Sequence, residues 1–264
     1  MFGKLLKYDF RSMLKQFAFV WPAALVLALV NRFTVDGMES TSVVGETTAG
    51  IAMLVYVAIL VAMFVLAVIF IIQRFYKGLL GDEGYLMHTL PVKPWQLIGS
   101  KLLCAVVVTV VSILVAILSI LLIVPLNGAD FQLFWQQLGE ISRRYSPHFT
   151  LIIVELVILI LVGMAQNFLY LYLAMSIGHL FNKHRVAWSV GAYIAIDALM
   201  SALLGNVLRL TVRMEDVIEG FFSGMSDWGA AHTTIWIMIA GSAVVSAVYF
   251  AITNYILSRK LNLE

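Results

Sequence analysis

Two acidic residues lie within otherwise hydrophobic stretches of this sequence and are the best placed to do chemistry. Asp197 stands eleven residues into its stretch, about 16 Å deep at 1.5 Å per residue, near the midplane of a membrane core about 30 Å thick. Glu155 is only about 9 Å into the preceding stretch. An ionised side chain at the centre of a membrane helix costs roughly 2.5–3.5 kcal/mol, so each needs a partner or an aqueous cavity.

These carboxylates leave two interpretations open. Either of them could bind a proton or a cation during transport; alternatively, Glu155 could extend toward the outer headgroups or pair with a basic loop residue. Gln166 and Asn167 lie midway along the same stretch as Glu155. They could contact a substrate or hydrogen-bond between helices, as amides in membrane helices commonly do.

Motifs of soluble catalysis are missing from the sequence. It contains no G-x-x-x-x-G-K-[ST] phosphate loop, G-x-G-x-x-G turn, H-E-x-x-H or G-x-S-x-G elbow. We therefore expect no enzyme activity and no ATP hydrolysis by this chain itself. Its five histidines are scattered and its one cysteine, Cys104, falls in an apolar segment, so we expect neither a metal site nor a disulfide, and a buried thiol.

Composition indicates a membrane protein. Of the 264 residues, 62% are hydrophobic and 12% are charged, about half the charged fraction of a soluble domain. The net charge of +2 is sorted by position rather than gathered on one basic face, so no nucleic-acid partner is expected.

A spanning helix needs about 20 apolar residues. Six stretches meet that length: about 17–33, 49–72, 96–126, 149–177, 186–208 and 232–257. The predicted fold is an all-α polytopic membrane protein, with 1–264 forming one transmembrane domain.

Basic residues predict the orientation of these spans. The N-terminal arm, the second and fourth connections and the tail hold twelve of the seventeen Lys and Arg residues, whereas the opposite side holds five, together with nine acids. Since basic residues near span ends are retained in the cytoplasm, both termini are predicted to be cytoplasmic. The arm, residues 1–16, alternates apolar and basic residues at helical spacing and is predicted to be an amphipathic helix at the membrane surface, bound to anionic lipid or braced against a cytosolic partner.

Three further patterns concern shorter segments. Aromatic residues dense enough for a membrane interface occur in 131–143 and 212–228, which we interpret as interfacial or re-entrant helices. Small residues at Gly191 and Gly241 suggest helix packing surfaces. Between the second and third spans, Leu79, Leu80, Leu86, Met87 and Leu90 alternate with Asp82, Glu83 and His88, which predicts a short amphipathic helix ended by Pro91 and Pro94.

This last segment carries a family resemblance. Residues 81–103 (GDEGYLMHTLPVKPWQLIGSKLL) resemble the region between the second and third spans of type-2 ATP-binding-cassette (ABC) exporter permeases, and residues 3–10 (GKLLKYDF) are similar to the start of Gram-positive members. The resemblance covers the whole chain in outline and about thirty residues in motif. Where the common pattern reads acid-x-x-x-Gly-Thr, this chain has Asp-Glu-Gly-Tyr, a variant associated with exporters of antimicrobial peptides or lipids.

The resemblance implies a permease subunit that pairs with a second copy, identical or related, and with two cytosolic ABC ATPases that bind ATP and Mg²⁺. Residues 82–91, here called the coupling segment, would then be the coupling helix, and Lys101 matches the basic residue that opens the third span. The residues implied to dock in the ATPase are Asp82, Glu83, Gly84, Tyr85, Leu86, Leu90 and Pro91.

Other functions compete with the permease. An ordinary surface loop would explain the coupling segment without a partner. A transporter that is ion-coupled or passive would use Asp197 and Glu155 and need no ATPase. An intramembrane enzyme or sensor is disfavoured by the missing motifs. The expected function is export of an amphipathic substrate (antimicrobial peptide, drug or lipid) across a bacterial cytoplasmic membrane, with a contribution to antimicrobial peptide resistance.

Overall fold

Long helices make up nearly all of the chain in the computed structural model, which describes residues 2–36, 43–81, 92–123, 128–145, 148–181 and 183–260. Six of these helices are long and apolar enough to cross a membrane, which confirms the predicted all-α, multi-pass membrane fold. The elements are α1 (Phe2–Asp36), α2 (Val43–Phe75), a π-helical turn (Tyr76–Leu80), α3 (Pro94–Ile123), α4 (Gly128–Tyr145), α5 (His148–Gly178), α6 (Arg185–Arg213), α7 (Glu215–Phe222) and α8 (Asp227–Arg259).

The N-terminal arm is helical as predicted, but it is continuous with the first span. Helix α1 begins at Phe2 and passes through Pro22 without ending. From position 4 to position 21 the sequence contains no glycine or proline, so nothing interrupts the helix before that proline. The four basic residues of the arm are exposed, whereas Asp9, Met13 and Phe17, spaced four apart, are buried. One face of the arm therefore extends the buried face of the span.

The chain divides into two compact units. Unit 1 comprises Met1–Phe75 and Gly99–Glu140, and unit 2 comprises Tyr76–Ile98 and Ile141–Glu264. In unit 1, α1 packs on α2 and α3 through small residues: Ala24 meets Met63 and Ala116, and Ala28 meets Tyr56 and Ile123. Small side chains bring helix backbones close, which is how membrane helices associate when no hydrophobic effect drives them together.

Two polar contacts also link these three helices. Trp21 donates to the Ser112 hydroxyl at 3.0 Å, and the Tyr56 and Ser119 hydroxyls are 2.7 Å apart. Each polar atom in these pairs has its partner inside the bundle, so neither pair leaves a buried group unsatisfied. The predicted burial of Cys104 in α3 is confirmed.

In unit 2, α5 is the central helix. It packs against α6 and α8, and α7 packs on α6. The predicted helical segment 131–143 lies within α4, and the segment 212–228 contains α7. At the close approach of α5 and α6, a side chain on Gly178 would overlap the backbone of Ser189, whereas Gly191 and Gly241 face open space. The packing assigned to Gly191 and Gly241 from sequence is therefore absent among the described residues, and the glycine that does pack is Gly178.

Candidate functional site

The residues assigned to ATPase coupling lie outside the described residues. They are Asp82, Glu83, Gly84, Tyr85, Leu86, Leu90 and Pro91. On the N-terminal side of the coupling segment the described chain ends in the π-helical turn, where the Gly81 amide donates to the Tyr76 carbonyl at 2.8 Å. On the C-terminal side α3 begins at Pro94, a first helical position that proline favours, whereas Pro91 lies outside the described residues.

A buried ionic cluster joins α1 to α2 and α3, the two long helices that flank the coupling segment in the sequence. The Asp9 carboxylate of α1 accepts hydrogen bonds from Arg74 of α2 at 2.7 and 3.1 Å and from the Ser100 hydroxyl of α3 at 2.9 Å. Lys101 of α3 reaches the same carboxylate at 3.4 Å. We call these four residues the Asp9 cluster. It connects the ends of three spans through one side chain.

Burial makes this cluster electrostatically strong. The side chains of Asp9 and Lys101 are 1% and 2% exposed, and that of Arg74 is 16% exposed. One carboxylate thus lies between two cations in a medium that screens charge poorly. The Arg74 guanidinium also stands 5.2 Å from the centre of the Tyr8 ring, a favourable cation–π distance.

The sequence predicted these charges on the cytoplasmic side without pairing them, because 65 to 92 positions separate Asp9 from its partners.

Unit 2 contains a cavity that brings together three of the four polar candidates. A volume of about 150 Å³ is lined by Gln166, Asn167, Tyr170, Asp197, Met200 and Tyr249. Helices α5, α6 and α8 each contribute to the lining. The prediction that an intramembrane acid needs a cavity or a partner is therefore met at Asp197 by a cavity.

Tyrosine rings form one part of this cavity. The Tyr170 hydroxyl donates to the backbone carbonyl of Tyr193 at 2.5 Å, and the Tyr170 ring centre is 4.5 Å from that of Tyr193 and 5.9 Å from that of Tyr249. Asn167 donates its amide N–H to the Gly163 carbonyl at 2.9 Å, which leaves its side-chain oxygen available as an acceptor. The cavity thus combines a carboxylate, an amide oxygen and aromatic rings. Sequence reasoning missed these tyrosines, since aromatic residues are common in membrane helices.

Glu155 belongs to a different cluster. Its carboxylate accepts hydrogen bonds from the Trp236 indole at 3.0 Å and from His232 Nδ1 at 2.8 Å, both on α8. Because the carboxylate only accepts, His232 Nδ1 carries the proton. The other nitrogen of this histidine lies 3.3 Å from His148 Nδ1, and the His148 ring stacks on Trp228 at 5.3 Å. Both Glu155 oxygens are therefore used to join α5 to α8.

The two intramembrane acids do not form one site. Along α5, Glu155 precedes the cavity residue Gln166 by eleven positions, which is about 16 Å. The described partners of Glu155 are a histidine and a tryptophan on α8, and not the basic loop residue that the sequence suggested. Among the described residues, no group of three or more His, Cys, Asp or Glu side chains could hold a metal ion.

Comparisons with known proteins do not assign a family or a function to this site. Protein-family models, curated proteins and solved structures give no match to this chain.

Proposed function

We propose that this chain is the transmembrane permease subunit of an ATP-driven exporter in a bacterial cytoplasmic membrane. Both termini would lie in the cytoplasm, and the coupling segment would dock on a cytosolic ABC ATPase that binds ATP and Mg²⁺. A second permease copy would complete the transporter. The sequence pattern of residues 81–103 supports the family assignment, and six apolar helices supply the expected number of spans.

The Asp9 cluster is the structural observation that favours coupling at this position. Arg74 precedes the coupling segment by eight residues, and Lys101 follows it by ten. Because both residues bind the same carboxylate on α1, the ends of three spans are cross-linked at positions that lie on either side of the segment in the sequence. A force applied there would move α1, α2 and α3 together instead of bending one connection. An ordinary surface loop requires no such cross-link.

In this mechanism, the chain supplies the pathway and its partner supplies the energy. Closure of the paired ATPases on ATP would move the coupling segment and tilt the spans, opening a route for an amphipathic substrate such as a peptide, a drug or a lipid. Export of cationic peptides would give the cell resistance to them. The polar cavity of unit 2 is the described position where a polar group of such a substrate could be held within the membrane.

An ion-coupled transporter is the second candidate. It is favoured by one observation, the Asp197 carboxylate that faces a cavity. Glu155, the other acid of this candidate, accepts hydrogen bonds from His232 and Trp236. This candidate requires transport that follows a proton or cation gradient and proceeds without an ATPase.

Purification of the full chain from its native membrane in mild detergent tests whether it is an ATP-driven permease or an ion-coupled transporter. Mass spectrometry and an ATPase assay on the eluate should find a nucleotide-binding protein in stoichiometric amount. In the assembled complex, Glu83→Ala and Tyr85→Ala should uncouple ATP hydrolysis from transport, whereas Asp216→Ala, which removes an exposed acid of α7, should not. A homo-oligomer without an ATPase, or normal coupling in both variants, would contradict the proposal.

A further inference from the structure

The charge of Asp197 is unbalanced within the part of unit 2 that the structure describes. No hydrogen bond or ion pair to the Asp197 carboxylate occurs among the described residues. The nearest basic residues on its own helix are Arg185 and Arg209, each twelve positions away. That separation is about 18 Å along the axis, far beyond the 4 Å of an ion pair.

The neighbouring helices do not supply the missing positive charge. Between His148 and the end of α5 the sequence has no lysine, arginine or histidine, and on α8 none occurs between His232 and Arg259. Tyr249, the cavity residue of α8, is ten positions from Arg259, or about 15 Å. An ionised acid in such surroundings is stabilised when a cation enters the cavity.

The other lining groups select the kind of cation. Tyr170 and Tyr249 present aromatic rings, whose negative faces attract ammonium groups. Both tyrosines are close enough to Asp197 for its charge to act on them. Met200 adds a polarisable apolar surface suited to methyl and methylene groups. A metal ion is less suited, because Asp197 is the single acidic side chain in this lining and no group of three or more His, Cys, Asp or Glu side chains that could hold one occurs among the described residues.

Access to the cavity is open from outside this chain. Asp197 and Asn167 are exposed, whereas Tyr249 is buried and therefore fixed by its surroundings. Helix α6 has no buried residue, so the side of the cavity that carries the charge remains reachable. A ligand can then meet the carboxylate from the open side and the Tyr249 ring on the closed side.

We propose that the cavity formed by Gln166, Asn167, Tyr170, Asp197, Met200 and Tyr249 binds a monovalent organic cation, an alkylammonium or quaternary ammonium group, with Asp197 as the counter-ion. As the cargo of an exporter, this ligand rests on the proposed function; as a bound cation, it does not. The site would hold the positively charged end of an amphipathic molecule and leave its apolar part in contact with the membrane or with the rest of the pathway.

The test uses the full chain in nanodiscs of zwitterionic lipid, with benzyltrimethylammonium as the probe. Its uncharged carbon isostere, neopentylbenzene, has the same shape and serves as the ligand control. We expect saturable binding of the cation and none of the isostere. Asp197→Asn should weaken cation binding at least about tenfold, and Asp216→Asn, a matched exposed acid outside the cavity, should leave it unchanged.

Variants of Tyr249 separate ring contacts from hydroxyl contacts. Tyr249→Phe keeps the aromatic face and should change affinity by less than about threefold, whereas Tyr249→Leu should weaken binding at least about fivefold. Size-exclusion chromatography identifies any variant that fails to fold, and the comparison of the two ligands on the unmodified chain does not depend on variants. Equal binding of both ligands, no binding of the cation, or unchanged affinity in a folded Asp197→Asn variant would overturn the proposal.

These outcomes are distinguishable from a failure of the proposed function. Binding is measured on the chain alone, so it needs no ATPase. A chain that copurifies with an ATPase but does not bind the cation keeps the permease assignment and loses this site. A chain that binds the cation but has no ATPase partner keeps the site and loses the permease assignment.

Discussion

Replacement of Asp9 by asparagine isolates the charge at the centre of the Asp9 cluster. Asparagine has nearly the same shape, and its oxygen can replace Oδ1, the atom that accepts both hydrogen bonds from Arg74 and lies nearest to Lys101. Its amide N–H can donate to the Ser100 hydroxyl, which is able to accept as well as donate. The hydrogen bonds can thus be kept while the negative charge is lost, and Lys101 loses its only described anion, 3.4 Å away. The variant therefore leaves a buried cation without a counter-charge, and we expect the free energy of unfolding to decrease.

The expected loss follows from the burial of the three charged side chains. Removal of one partner from a buried ion pair costs about 3–5 kcal/mol, because the remaining charge is left uncompensated. The lower end applies here, since Arg74 retains 16% exposure and can still interact with water and with the Tyr8 ring. We therefore expect Asp9→Asn to lower the free energy of unfolding by about 3 kcal/mol.

A double-mutant cycle tests the cause of this loss. Lys101→Met removes the second cation, keeps a side chain of similar length and leaves the Asp9–Arg74 pair intact, so it should cost less than about 1.5 kcal/mol. The double variant should recover at least about 1 kcal/mol relative to the sum of the two single variants. Unfolding is followed by circular dichroism in mixed micelles titrated with sodium dodecyl sulfate. Additive single effects, or a loss no larger than that of the exposed control Asp216→Asn, would refute the electrostatic reasoning.

Three further predictions concern unit 2 and use the same unfolding assay. Glu155→Gln should lower the free energy of unfolding by about 1–3 kcal/mol, because an amide cannot accept from both donors on α8; no loss beyond the surface control would contradict this. The pKa of His179 is lowered by burial and then by the charge of Arg185, so the unfolded chain takes up a proton at higher pH than the folded chain does, and the free energy of unfolding should fall as pH drops below about 6.5. His179→Gln should abolish that part of the pH dependence, and an unchanged profile would disprove it. Gly178→Ala should destabilise by about 1–3 kcal/mol through backbone overlap. Gly191→Ala, which meets open space in the interior of α6, should be neutral or stabilise by up to about 1 kcal/mol, because alanine favours the helix; equal effects would refute the packing argument.

The spans could be predicted from sequence because their signal is local and strong. Twenty consecutive apolar residues have few alternatives to a membrane helix, and all six predicted stretches correspond to long helices. The start of α1 was harder to locate. Hydropathy separates the basic arm from the apolar span. Where a helix ends, however, depends on helix-breaking residues, and Pro22 is tolerated within a membrane helix.

Partners of polar residues were harder to predict than their positions. Depth along each helix placed Asp197 and Gln166 near the middle of their spans, and they do line one cavity. Depth does not specify rotation about the helix axis, however, and the partners of Glu155 lie 77 and 81 positions away on α8. A single sequence does not reveal which residues so far apart are in contact, so the partners of Glu155 could be identified only from the structure.

Asp9, Glu155 and Asp197 illustrate how a structural charge differs from a functional one. Asp9 is surrounded by Arg74, Lys101 and a serine hydroxyl, and Glu155 has a donor on each oxygen. In both cases, contacts inside the protein offset the free-energy cost of burying the charge. Asp197 has no such contact within the described residues and borders a cavity. Since an ionised group in the membrane costs free energy whether or not it is used, a helix that needed only to pack would be more stable with an apolar residue at this position. The charge of Asp197 is therefore best explained by a ligand that enters the cavity and balances it.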